Sequence, residues 1–154
     1  MNVKKILLAT AFIIFISVNY GFKPAFEEQD WLTYANQALA QSYDASGDSK
    51  LKKVEFFLTP EYFIRLRKTY AKGKQEYYSF NLHQLNDFDY LGNTSTGILE
   101  FKTQADDIIV QTYNDRHGDI DSMTTVLDIP VKNMEPERLD SLHEAFDYFK
   151  AKRL

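Results

Sequence analysis

A chain of 154 residues with 44% hydrophobic and 26% charged side chains has room for one folded domain and a short extra segment. At that size a fold buries roughly two thirds of its unfolded surface and needs no covalent staple, and the absence of cysteine removes disulfides, thiolate metal sites, thiol nucleophiles and cysteine lipidation. A formal net charge of −4, with no base-stacking or groove-reading motif, argues against a nucleic-acid partner.

Lys4 and Lys5 precede the uncharged run 6–18, and Asn19, Tyr20 and Gly21 end it. A basic start, an apolar centre and a small residue at the end make the layout of a secretory signal peptide. Asn19 is a poor small-residue match before a cut at Gly21, so a retained membrane anchor is the rival reading. The run is shorter than the roughly 20 residues that cross a bilayer, which favours removal. Either way the remainder is expected outside the cytoplasm, in the periplasm or at the outer face of the membrane.

Trp31, Ala35, Ala38, Leu39 and Ser42 recur at helical spacing, which predicts a helix over 26–42 that packs on the domain or stands as a stalk. Residues 44–49 have the composition of a turn or linker. The expected organisation is a signal or anchor at 1–21, a helix and linker at 22–50, and a globular domain at 51–154.

Residues 51–59 alternate as a strand should. The stretch 60–72 reads two ways. Thr59-Pro60-Glu61 is a good helix start, yet Tyr62, Ile64 and Leu66 alternate with Arg65, Arg67 and Thr69, and Lys72-Gly73 suits a tight turn into a returning strand with Tyr78 and Phe80. The hairpin is favoured. A short strand at 88–91, a turn at 92–97 and strands at 98–103, 108–113 and 123–131 follow, and the short connections suggest an antiparallel meander. Pro136 after Glu135 then opens a helix over 135–152. Leu139, Leu142, Ala145, Phe146 and Phe149 form its apolar stripe.

The expected class is therefore α+β, an antiparallel sheet capped by a C-terminal helix. The element order over 51–152 resembles the pleckstrin-homology-like fold, in which the last helix closes one end of a bent antiparallel sandwich. With 60–72 helical, the order would instead resemble cystatin-like or nuclear-transport-factor-like folds. Neither resemblance carries a motif, and such folds host many functions.

Charge is unevenly spread. Residues 50–74 hold eight basic and two acidic side chains, and residues 75–149 four basic and fifteen acidic, so the domain should present surfaces of opposite sign. Arg65 and Arg67 share a strand face, with Lys52, Lys72 and Lys74 expected nearby, as a candidate site for an acidic protein, a phosphate-bearing group or a polyanion; a solubilising strand face is the plainer reading. Asp115, His117, Asp119 and Asp121 alternate around Gly118 but miss the calcium-loop pattern. His143 between Asp140 and Asp147 suggests a local ion pair, and His83 closes a strand. Asp87, Asp89, Asp106 and Asp107 read as solvated charges. No nucleophile elbow or phosphate-binding glycine loop is present.

Together these features predict a non-catalytic, exported or membrane-tethered binding or adaptor domain of a bacterial cell envelope, without cofactor or metal. Its partner would be a protein or anionic envelope component. The alternative is a small-ligand (lipid or sugar) carrier with a cavity lined by Tyr62, Tyr78, Phe80 and Phe146, or, further off, a hydrolase using the 114–121 loop.

Overall fold

The computed structural model describes residues 27–152; the apolar run 6–18 lies outside them. Helix α1 spans Glu28–Ser42, followed by strands β1 (Leu51–Leu58), β2 (Phe63–Tyr70) and β3 (Gln75–Asn81), and a 3-10 turn at Leu82–Gln84. Strands β4 (Leu85–Gly92), β5 (Thr96–Thr103), β6 (Ile108–Tyr113), β7 (Asp121–Thr124) and β8 (Val126–Lys132) lead to helix α2 (Pro136–Ala151). All pairing between these strands is antiparallel, and the class is α+β as predicted.

Residues 60–72 adopt the hairpin. Tyr62 sits at φ +66°, outside the helical region, and the Thr59 hydroxyl accepts from the Phe63 N–H at 3.2 Å, so the chain turns where a helix would have begun. Tyr62 tolerates a backbone that ordinary residues avoid because its ring is held. It lies 5.3 Å from the Phe149 ring and 5.6 Å from His83, and its hydroxyl donates to Glu28 at 3.0 Å. Gly73, at φ +89°, makes the return turn, a conformation that costs glycine little.

The strands form two sheets, ordered β1-β2-β3-β6-β7 and β4-β5-β8. Only β1 to β3 run as an uninterrupted meander. The connection 104–107 carries the chain from the small sheet to the large one, and Thr125 carries it back, so the predicted strand 123–131 is cut in two. Parity shows why. Leu127, Ile129 and Val131 are buried, whereas Met123, an even number of residues away, is 55% exposed; one straight strand would have put all four on one face.

The inner faces of the two sheets meet at Phe80 and Phe101, whose rings are 5.3 Å apart. Helix α2 lays Leu142, Ala145, Phe146 and Phe149, all buried, onto this layer. Phe146 meets Phe88 edge-on at 5.0 Å, a favoured aromatic geometry. Of the rings proposed as walls of a ligand cavity, Tyr62, Phe80 and Phe146 are buried in the core itself and Tyr78 is half-buried against it. Helix α1 belongs to the same core through Ala35, Ala38 and Leu39, and Trp31 packs 6.1 Å from Tyr148 of α2. Its Asn36 completes the end of edge strand β1, donating to the Leu58 carbonyl at 3.0 Å and accepting from the Leu58 N–H at 2.6 Å. The helix ends into Tyr43, which bridges to Val131 of β8, so α1 packs on the domain and is no free stalk.

Candidate functional site

At the end of β2 opposite Tyr62, three loops converge: 44–50 after α1, the β2–β3 turn 71–74, and 114–119 between β6 and β7. They enclose an open cleft of about 390 Å3. The loops are tied to one another by hydrogen bonds. The Ala71 N–H donates to the Lys50 carbonyl at 2.9 Å, and the Asn114 amide donates to the Gly73 carbonyl at 3.3 Å. Asn114 and Lys50 both take left-handed backbone conformations, at φ +57° and +66°; asparagine does so readily, lysine at a cost.

Strand alternation builds the floor. In β2, Ile64, Leu66, Lys68 and Tyr70 point inward, and Lys68 stands opposite Glu76 of β3, so the apolar face of the sheet turns ionic at this end. Asp48 accepts from Lys68 at 3.2 Å and from the Tyr70 hydroxyl at 3.2 Å, and also from the Tyr43 hydroxyl. Glu76 accepts from Tyr70 at 3.1 Å and from Tyr78 at 3.4 Å. Lys74 bridges Glu76 at 3.0 Å and Asp115 at 2.8 Å. Three carboxylates thus share two ammonium groups and three phenols, in a setting where polar groups need partners.

These contacts shift the acidities of Asp48, Asp115, Lys74 and the three phenols. Burial alone would raise Asp48, but hydrogen bonds from Tyr43, Lys68 and Tyr70 outweigh it and hold the carboxyl below its usual range. Asp115 is lowered first by Lys74 and then by the His117 N–H. Burial, reinforced by the carboxylates, raises Tyr43 and Tyr70 well above the ordinary phenol range. The same causes push Tyr78 up to about 12. Hydrogen bonds to Asp115 and Glu76 raise Lys74. At neutral pH the phenols are therefore donors, and each of the floor's three carboxylates is ion-paired to Lys68 or Lys74 within the network.

The rim is different. Lys50, Lys72, Arg116 and His117 are exposed around the cleft, and Lys50, Lys72 and Arg116 form no ion pair among the described residues. Their charge faces solvent.

The five basic candidates are divided by the fold. Lys72 and Lys74 reach the cleft, Lys74 as part of its internal network. Arg65 and Arg67 lie on the opposite, outer face of the large sheet, because they alternate with Lys68. Arg65 packs over Phe63 at 5.6 Å and Arg67 over Tyr77 at 5.8 Å. Lys52 is exposed where the β1 register shifts between Leu51 and Lys53. The acidic loop disperses: Asp115 turns to Lys74, Asp119 accepts from the Asp115 N–H at 2.9 Å, and Asp121 accepts from Gln111 at 3.0 Å. No three His, Asp or Glu side chains converge to hold a metal among the described residues. His143 makes no ion pair among the described residues and instead lies on Phe88 at 4.6 Å. His83 is held between Asn81 Oδ1 at 2.8 Å and the Lys152 carbonyl at 2.6 Å.

Sequence reasoning passed over Asp48, Lys68, Tyr70 and Glu76. One signal was there: a lysine at an inward parity of a strand otherwise apolar on that face demands a buried partner. No known protein-family model matches the chain, and neither a curated protein nor a solved structure is significantly similar to it.

Proposed function

We propose that this chain is an exported or membrane-tethered, non-catalytic binding domain of a bacterial cell envelope that holds an anionic envelope component, or an acidic protein, at the basic rim of the cleft. One observation carries this reading: each of the cleft's three carboxylates is already ion-paired to Lys68 or Lys74, while Lys50, Lys72 and Arg116 on the rim form no ion pair among the described residues, so the rim charges remain available for an external anion. Free surface cations around a concave site raise both local anion concentration and association rate.

Orientation supports it. The chain enters α1 at Glu28, and the cleft lies beyond its far end. Fifteen residues of helix separate the two by about 22 Å. In a protein tethered through residues preceding α1, the rim would be carried away from the point of attachment.

Binding of fluorescent polyglutamate, followed by anisotropy, tests the reading. The full chain should bind and weaken steadily as salt rises. The triple variant K50Q/K72Q/R116Q should bind about tenfold more weakly with an unchanged unfolding midpoint. Binding indifferent both to salt and to these three substitutions would overturn the assignment.

A further inference from the structure

The outer faces of the two sheets carry complementary features that the cleft does not use. On the small sheet, Asp89, Glu100 and Asp128 stand directly opposite one another across β4, β5 and β8. Like charges in directly paired positions destabilise a sheet. Lys102 offsets part of this from one side, reaching Glu100 at 2.5 Å and Asp87 at 3.7 Å, while Asp89 and Asp128 form no ion pair among the described residues. The next cross-strand row is apolar: Leu91, Ile98 and Pro130, with Leu91 53% and Ile98 37% exposed. An acidic row therefore lies beside a greasy one on a surface that no helix covers among the described residues.

On the large sheet the outer face has the opposite sign at its centre. Arg65 and Arg67 project from β2, paired with Ser79 and Tyr77 of β3. Ser79 in turn pairs with Ile109, and Ile109 with Met123 of edge strand β7. The Nε of Arg65 is shielded from solvent yet has no hydrogen-bond partner, which is costly for a charged donor. Glu55 stands opposite Arg67 but is engaged by Lys53 at 2.8 Å. Two guanidiniums beside Phe63 and Tyr77, on a face that runs on through Ile109 to Met123 at the sheet edge, are suited to carboxylates that arrive together with apolar side chains.

We propose that the occupant of each face is the other face of a second copy of this chain. The arginine face of one molecule takes the Asp89–Glu100–Asp128 row of the next, and Leu91 and Ile98 meet the apolar residues around Met123. Neither face suits itself, since a two-fold contact would set carboxylates against carboxylates. Outer faces of two packed sheets point in opposite directions, so the contact is head-to-tail and propagates into open stacks. Three strands of seven or eight residues give a footprint of only a few hundred Å2, on strand spacings of about 4.8 Å and rises of about 3.4 Å. That is below the roughly 800 Å2 per partner of a stable interface, so association is weak, concentration-dependent and salt-sensitive. It does not depend on the rim of the cleft.

The test is sedimentation velocity on the full chain in a mild non-ionic detergent, with folding of each variant checked by circular dichroism. At low salt the unmodified chain should sediment faster as concentration rises and return to the monomer at high salt. The arginine-face variant R65Q/R67Q and the acid-face variant D89N/E100Q/D128N should each stay monomeric at concentrations at least about tenfold higher. An equimolar mixture of the two should give dimers and nothing larger, because each retains one working face. K50Q/K72Q/R116Q should associate like the unmodified chain. A chain monomeric throughout, a single-face variant that still dimerises, or a mixture that stays monomeric would each overturn the proposal.

Discussion

The two ends of the sandwich are held by different physics. Beneath α2 the inner sheet faces meet rings: Phe88, Phe101, Phe146 and Phe149 are all buried and stack within 5.0 to 6.1 Å of an aromatic neighbour. At the open end the same strands present Lys68, Tyr70 and Glu76, and the loop carrying Asp48 is fastened to them by hydrogen bonds and ion pairs. Apolar burial is non-directional and indifferent to charge state, whereas the polar network works only while each donor meets an ionised acceptor. One end therefore supplies stability and the other can be shaped by charge, which is where a binding surface is affordable.

That contrast gives an ordered set of expectations. The largest effect belongs to the apolar end. Phe149→Ala empties a fully buried site between Tyr62 and Tyr148 and should cost about 3–5 kcal/mol, read from urea unfolding. Next is Lys68→Ala, which leaves Asp48 and Glu76 without their shared ammonium. With side chains 12% to 17% exposed, the loss should be about 2 kcal/mol. Lys68→Met, which keeps the volume but not the charge, should rescue little of it, and full rescue would show that Lys68 serves by packing. Tyr78→Phe removes one long hydrogen bond to Glu76 and should cost about 1 kcal/mol or less.

How far the sequence foretold each end follows the same division. Helix α2 was legible within a residue at each end, with Glu135 as its cap and Pro136 in the first turn, and its predicted stripe is buried from Leu142 to Phe149 and half-buried at Leu139, because apolar periodicity and proline act locally. The β2–β3 hairpin was legible through alternation and Gly73. The cleft was not, since its walls come from loops separated by up to seventy residues of chain, and nothing local says that Asp48 will meet Lys68. Parity misled at Met123, where the spacing fits one strand and only the crossing between sheets at Thr125 separates it from Val131. His143 looked like a member of an ion pair and is a flat surface for Phe88, a choice decided by tertiary packing. Arg65 and Arg67 were correctly placed on one face, but which side of the sheet that face took depended on the inward pull of Ile64 and Leu66.

The acid limb of stability separates the two ends most cleanly. Asp48 has its pKa lowered in the folded state, so its contribution is fully present above the unfolded carboxylate range, near pH 4, and is lost as pH falls through the lower folded value. Urea midpoints between pH 7 and pH 3 should therefore fall less for Asp48→Asn than for the unmodified chain. Phe149→Leu should lower the midpoint at every pH by a similar amount and leave the acid loss as it was. If Asp48→Asn keeps the whole acid loss, or Phe149→Leu flattens it, the division of labour between the two ends is wrong.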